Sequence, residues 1–319
     1  MPSRKTVEKA GKRLIDSQND ADLAILNEWR LFHNAPLIQA VKDASSVVAR
    51  SGFICVSRIK RADSIIQKLR RGEGFKLDRL ADIAAFRIIA PSLDDVYEIA
   101  TLLEEKLVVH KKKDYNISPK PSGYRGVHLI FKMPTGEQPQ NVLIECQVRT
   151  REQHAWASLV EIIDFIDDAN IKINSNILQN SMLRELSDAI YHHETGGEIK
   201  TIQVENKEIL RKRLATTLYE STVLYPDQPA NTYAYYLLFR DYASGEVTVN
   251  QIDSEDLFKA FDTYNQAQPF INPMSDSVLI RTDDVATVPF AYPLYILNAA
   301  SVLEIVEPYL KLDFQNTCC

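Results

Sequence analysis

The chain has 319 residues, 45% of them hydrophobic, a formal net charge of −6 and four cysteines. That is long enough for two domains with ample cores. No apolar run approaches the roughly 20 residues of a membrane span, and the opening Met1-Pro-Ser-Arg-Lys5 lacks the apolar centre of a secretory signal. No C-x-x-C pair suggests zinc or thiol redox chemistry, so a cytoplasmic protein with reduced cysteines and no membrane partner is expected. The terminal Cys318-Cys319 pair reads as incidental rather than as a lipidation signal. Charge is unevenly divided: residues 1–160 hold 26 Lys and Arg against 19 Asp and Glu, and the rest hold 11 against 24. The basic half suits anionic ligands, and the acidic half could shield or compete for the same surface.

In chain order, a helical region over about 20–50 is interrupted at Pro36, with His33 fixing the turn before it rather than doing chemistry. Ser57 to Arg71 is expected to be one helix, from the spacing of Ile59, Ile65, Ile66 and Leu69. Its Arg58, Lys60, Arg61 and Lys68 are either available to a polyphosphate or part of a solvated face. A strand over 82–90 begins at Asp82 and carries Arg87 inside an apolar run. A helix follows at about 93–105 and a strand at 106–111.

Lys111 to His128 then packs cations, a Pro- and Gly-shaped loop and an aromatic ring into one segment. Gly123 lets the backbone turn at low steric cost, so Tyr124 is expected to stand clear and offer its ring to a base. Lys113, Lys120 and Arg125 would face phosphates. The plainer reading is a solvated basic hairpin with a surface tyrosine. Strands at 126–132 and 142–149 are joined through Met133 to Gln140. The second alternates with period two: Val142, Ile144, Cys146 and Val148 on one side, Leu143, Glu145, Gln147 and Arg149 on the other. Asp82 and Glu145 at neighbouring strands could share Mg²⁺, which favours oxygen ligands. Glu145 in an ion pair with an arginine is the structural alternative. Trp156 reads as core, and His154 as either a packed helix residue or a phosphate contact.

Past residue 170 a polar helical stretch runs to about 220 and closes at Tyr225-Pro-Asp-Gln-Pro229. A ββαβα unit is expected beyond it: strands at Tyr233–Phe239 and Glu246–Asn250, a helix with Leu257, Phe258, Phe261 and Tyr264 on one face, a strand at Ser277–Arg281, and a helix from Pro293 to about Leu310. This unit carries no chemical constellation of its own. It is expected to regulate the first module, by covering its cleft or sensing a protein partner, or else to stabilise it or form a homo-oligomer. The resulting division is 1–56 helical, 57–169 catalytic, 170–224 helical linker and 225–319 a small α+β module.

The motifs Trp29-Arg30, His33, Pro36-Leu37, Arg58-Ile-Lys60, Ser64 to Lys68, Asp82-Ile-Ala-Ala-Phe-Arg87, Asp114-Tyr115, Pro119-Lys120, Gly123-Tyr-Arg-Gly-Val-His128 and Ile144-Glu-Cys-Gln-Val-Arg-Thr150 occur in one order over 29–156. In this order and spacing the chain resembles the synthetase domain of the RelA/SpoT family. The resemblance implies an α+β fold, a mixed β-sheet layered with helices and nucleotidyltransferase-like, followed here by the extra α+β module. It also implies a pyrophosphokinase moving the β,γ-diphosphate of ATP to the 3′-hydroxyl of GDP or GTP, making a (p)ppGpp-type alarmone. By that likeness Asp82 and Glu145 would hold Mg²⁺, Glu145 would activate the hydroxyl, and Arg58, Lys60, Lys68 and Arg87 would bind ATP. Tyr124 would stack on the acceptor base, with Lys113, Lys120, His128, Gln147 and Arg149 around it. Ser122 replaces the usual Asn of alarmone-making members. The form of the motif is similar to a branch of toxic synthetases and antitoxin-fused relatives used against phage, for which the tRNA 3′ end or an adenosine nucleotide is the alternative acceptor. None of the six histidines precedes Asp, and about 57 residues lie before Arg58, so the family's hydrolase activity is not expected.

Overall fold

The computed structural model describes residues 2–48, 52–72, 74–136, 138–167, 178–203, 222–224, 234–241, 246–252, 264, 275–282, 285–293 and 299–310. The Cys318-Cys319 terminus and the expected helix face at Leu257, Phe258 and Phe261 lie outside them. Three helices open the chain: α1 (Arg4–Asp16), α2 (Asp20–Phe32) and α3 (Asn34–Ser45). The first lies inside the 1–56 helical division but ahead of the expected 20–50 stretch; Val7, Ala10 and Leu14 bury one helical stripe, and Ser3 accepts a cap bond from the Thr6 N–H. Asn19 caps α2 in the same way, and Arg13 donates from Nε to Asp22 at 2.9 Å, tying α1 to α2. His33 joins α2 to α3 by a 2.8 Å bond between its Nδ1 and the Trp29 carbonyl. Pro36 falls in the first turn of α3, where a missing N–H costs little.

The remaining order is β1 (Ile54–Ile59), α4 (Ala62–Arg70), β2 (Ala84–Ala90), α5 (Leu93–Lys106), β3 (Val109–Asp114), β4 (Val127–Thr135), β5 (Gln138–Thr150), α6 (Arg151–Asp167), α7 (Leu178–Glu194), β6 (Thr222–Leu224), β7 (Ala234–Asp241), β8 (Glu246–Ile252), β9 (Ser275–Thr282), α8 (Val288–Ala291) and α9 (Ala299–Val306). Residues 57–71 therefore do not form one helix. Ile54, Val56 and Ile59 favour an extended backbone, both faces of β1 are apolar, and the strand is paired on one side by β2 and on the other by β9. Strand β3 begins three residues later than expected. The β4–β5 hairpin closes more tightly than expected, with Thr135 opposite Gln138 and Gly136 at φ +79°.

The nine strands among the described residues join in one mixed sheet, in the order β3-β4-β5-β2-β1-β9-β7-β8-β6. The fold is α+β, as expected. On one face, Ile59, Ile83, Phe86, Ile88, Leu129, Phe131, Ile144 and Cys146 pack with α1, α3, α4 and α5 into the main core. On the opposite face, Val56 and Ile89 pack with Tyr236, Leu238, Val278, Ile280 and Val288. A third cluster joins α6, α7 and α9 around Trp156, Leu159, Leu183 and Val302. The 170–224 stretch thus contributes α7 as a packed element, and Trp156 is core, donating from Nε1 to the Leu183 carbonyl at 2.6 Å.

Gly11 on α1 lies against the turn at Leu77, where an added Cβ would sit 2.6 Å from the Leu77 Cβ. Gly11→Ala raises helix propensity by about 1 kcal/mol, yet the overlap should dominate and destabilise the protein by about 1–3 kcal/mol. Denaturant unfolding of the variant should show a lower midpoint, and a higher one would mean that α1 is not seated on that turn.

Candidate active site

Residues paired across neighbouring strands share a face. Register places Arg58 opposite Ala85, and Ala85 opposite Glu145, forming one row across three strands. Two residues along, Val56, Arg87, Gln147 and His128 form the next row. Between Arg58 and Glu145, Ala85 supplies only a methyl group, which leaves a depression. The resulting cleft is lined by Val56, Arg58, Asp82, Ala85, Phe86, Arg87, Glu145, Gln147 and Tyr292.

Asp82 precedes β2 and reaches this cleft from its end. Its Oδ2 accepts from Lys60 Nζ at 2.6 Å and Lys68 Nζ at 2.7 Å, while its buried Oδ1 has no partner. Burial alone would raise this carboxyl, but the two ammonium groups outweigh that and bring it down to about 2. Lys60 is fixed at both backbone atoms: its N–H donates to the Ile83 carbonyl at 2.8 Å, and its carbonyl accepts from the fully buried Arg30 at 2.9 Å. Arg30 was noted in a motif but given no role. Its bond to the Lys60 carbonyl ties α2 to the residue that follows β1.

Glu145 has both oxygens engaged. Oε1 meets His128 Nδ1 at 3.1 Å, Oε2 accepts from Gln147 Nε2 at 2.8 Å, and Gln147 Oε1 accepts from Arg149 Nη2 at 3.2 Å. Burial pushes Glu145 upward, but the His128 and Gln147 bonds prevail and hold it below the usual value. His128 is lowered by burial despite Glu145, so the ring is neutral near pH 7. An anionic Glu145 needs the proton on Nδ1, which leaves Nε2 to accept from the Tyr124 hydroxyl at 2.6 Å. Five side chains thus run in line from Tyr124 to Arg149.

Tyr124 does not stand clear of its loop. Gly123 turns at φ +93° as expected, but it is buried under α7: a Cβ there would meet Arg184 and Trp156 at 3.2 Å, and its carbonyl accepts from Ser187 at 2.5 Å. Tyr124 is half-buried, with Tyr115 edge-on at 5.8 Å and Lys120 Nζ 4.5 Å from its ring centre. Tyr115 also packs edge-on against His128 at 5.0 Å. Its aromatic ring was not singled out from sequence, because an exposed tyrosine and a buttress look alike there. Lys113 lies farther out on β3, 5.9 Å from the Tyr115 ring.

Arg125 and His154 differ from the phosphate-facing reading. Arg125 is buried, donates to the Asn116 carbonyl at 2.7 Å and to Asp188 at 2.6 Å, and stacks on Tyr191 at 4.2 Å. It fastens the loop to α7. His154 is buried with Nε2 2.7 Å from the Phe290 carbonyl, and burial beside Arg149 and Arg87 lowers its pKa well below the usual value.

Phe290 belongs to a segment that no local residue pattern places here. Arg87 donates from Nη1 to the Ala291 carbonyl at 3.0 Å, and its guanidinium lies 5.9 Å from the Tyr292 ring. The pKa of Arg87 is down to about 9, from burial first and then from Arg149. Arg58 and Arg149 both act on Arg87, so three guanidinium groups gather about a cleft whose acids are Asp82 and Glu145. Among the described residues no three acids, histidines or cysteines form a metal cage, but the unpartnered Asp82 oxygen is a hard donor that fits a divalent ion.

The fold and cleft define an α+β domain with two acids and several cations converging on one sheet face. Residues 57–163 match the model of the region found in RelA/SpoT proteins, so the chain carries that region over those residues. The GTP pyrophosphokinase YwaC of Bacillus subtilis is 35% identical over 143 residues, covering 42% of this chain and 64% of that protein. YjbM of the same organism, also a GTP pyrophosphokinase, is 31% identical over 120 residues, covering 36% and 57%. The chain therefore spans less than two thirds of either relative. The solved small alarmone synthetase 2 of B. subtilis is 28% identical, with a TM-score of 0.44, over 53% of this chain and 94% of that one.

The Asp82 pairing has a consequence in acid. A carboxyl depressed from 3.8 in the unfolded chain to about 2 in the folded one adds stability above the first value and loses it as pH falls through the second. This is roughly 2 kcal/mol. Asp82→Asn should therefore flatten the fall in unfolding free energy between pH 4 and 2, measured by urea titration, and an unchanged slope would show that the ion pairs do not form in solution.

Proposed function

We propose that this protein is a pyrophosphokinase that transfers the β,γ-diphosphate of ATP to the 3′-hydroxyl of GDP or GTP. The observation that carries the reading is the single row that sets Glu145 across Ala85 from Arg58, with Asp82 at its end and Arg87 beside it. The two relatives named as GTP pyrophosphokinases support it.

In this reading Arg58 and Arg87 take the donor phosphates, and Lys60 and Lys68 move onto them. Tyr124 supports the acceptor base after Lys120 leaves its face, and Lys113, Lys120 and Arg149 neutralise acceptor phosphates. The acceptor 3′-oxygen attacks the β-phosphorus, the bond from that phosphorus to the α,β-bridging oxygen breaks, and AMP leaves. Asp82 and Glu145 would hold a divalent ion such as Mg²⁺, which supplies charge neutralisation on the phosphates when bound. Glu145 accepts the hydroxyl proton. Its lowered pKa makes it a weak base, which suits a loose transfer in which alignment and charge stabilisation dominate. His128 and Gln147 hold its two oxygens in place.

Purified protein incubated with γ-labelled ATP should label GDP or GTP, and Glu145→Gln should slow the transfer by roughly 10²–10⁴-fold. Parallel arms with AMP and deacylated tRNA test the alternative acceptors that the Ser122 form of the motif suggests. Label on tRNA alone would replace the alarmone reading, and no transfer to any acceptor would defeat the enzyme reading.

The regulatory part of the proposal assigns residues 225–319 to control of this cleft. Its support is the Ala291 carbonyl and Tyr292 ring on Arg87, with Phe290 on His154. Truncation near residue 170 would strip α7 from Trp156, so a point change is the cleaner probe. Tyr292→Ala should strengthen binding of a non-hydrolysable ATP analogue by roughly 2- to 30-fold, the range of one cation–π contact. Unchanged or weaker binding in calorimetry would make the segment a support rather than a cover.

A further inference from the structure

The acids of the cleft are each already engaged. Asp82 Oδ2 accepts from two ammonium groups at once, Lys60 from the end of β1 and Lys68 from α4. Both lysine side chains and the carboxylate are largely withdrawn from solvent, at 20%, 25% and 16% exposure. Glu145 is bonded through both oxygens to His128 and Gln147. Of the oxygens of these two acids, the one without a hydrogen-bond partner is the buried Oδ1 of Asp82. Magnesium takes six oxygen ligands in near-ideal octahedral geometry and gives up its waters reluctantly. One carboxylate oxygen flanked by two ammonium groups is a poor partner for it, because like charges within a few ångströms repel strongly where water is scarce.

A polyphosphate changes this balance, since its oxygens compete for the lysines and bring ligands of their own to the metal. The geometry points to Lys60 and Lys68 as a guard on Asp82: with no nucleotide they hold the carboxylate and exclude a free divalent ion, and the ion enters together with the triphosphate that draws the lysines away. This rests on the proposed ATP-dependent reading for the identity of the displacing ligand, while the exclusion itself depends on the lysine–carboxylate contacts. Arg30 contributes indirectly: its bond to the Lys60 carbonyl, with the Lys60 N–H bond to Ile83, leaves the Lys60 side chain as the movable part. Arg30 is thus a positioning residue.

The test uses Mn²⁺ as the probe, its free concentration read by electron paramagnetic resonance with the full-length protein. Wild type should bind Mn²⁺ weakly alone and at least tenfold more tightly when a non-hydrolysable ATP analogue is present. Lys60→Met and Lys68→Met, each checked for folding by thermal unfolding, should bind Mn²⁺ at least tenfold more tightly than wild type without the analogue. Arg58→Met removes a cation from the same cleft without freeing the carboxylate and should change metal affinity less than twofold. Equal Mn²⁺ affinity of wild type with and without bound analogue would overturn the proposal, as would lysine variants that match wild type or an Arg58→Met gain as large as theirs. If the analogue binds no form of the protein while the lysine variants gain metal affinity as expected, the exclusion stands and the ATP reading fails.

Discussion

The parallel pairing of β2 with β5 is the constraint on which the cleft depends. It sets Ala85 beside Glu145 and Arg87 beside Gln147, and a shift of one residue would turn each of these side chains into the opposite core. That register is secured by burial rather than by polar contacts. Phe86, Ile88, Ile144, Cys146 and Val148 all face the main core, so the apolar half of each strand holds the polar half in place. Ala85 matters by what it lacks, because any larger side chain would fill the floor between Arg58 and Glu145.

On this frame the charges are arranged by sign. Burial penalises the charged forms of Lys60, Asp82, Arg87 and Glu145, and each carboxylate is held in its charged form by a specific neighbour: Asp82 by Lys60 and Lys68, Glu145 by His128. Arg87 is opposed by Arg149 and Arg58 and partly offset by Glu161. Arg87 is lowered by burial and by Arg149, and the Nε atoms of both are buried without partners. An excess of buried positive charge with unsatisfied donors is costly to a folded chain unless an anion relieves it.

Much of this arrangement was readable from the residues. Period-two alternation in 142–149 gave the face shared by Glu145, Gln147 and Arg149, and the apolar run after Asp82 gave β2. Local spacing failed where neighbours decide the outcome. Residues 57–71 carry an apolar spacing at Ile59, Ile65, Ile66 and Leu69 that suits one helix, and pairing on both edges makes residues 57–59 part of a strand. Arg125 and His154 look like phosphate ligands in a basic motif, yet Asp188, Asn116 and Phe290 claim them through contacts that no local pattern reveals. The same is true of Tyr292, which meets Arg87 from 205 positions away in the chain. Tyr115 was quoted only as part of a motif, and its place against both Tyr124 and His128 follows from the β3–β4 register, not from its own identity.

The seam between β1 and β9 is short. Among the described residues two pairs join the strands, Ser57 with Arg281 and Arg58 with Ile280, whereas β7 and β9 are matched along eight residues. Mechanical load applied across the sheet would accordingly concentrate at that narrow joint, and β9 would come away still attached to β7. Since Arg58 lies on the joint itself, such a parting would unzip the edge of the strand that carries a cleft arginine, converting a separation of strands into a local loosening of the cleft face.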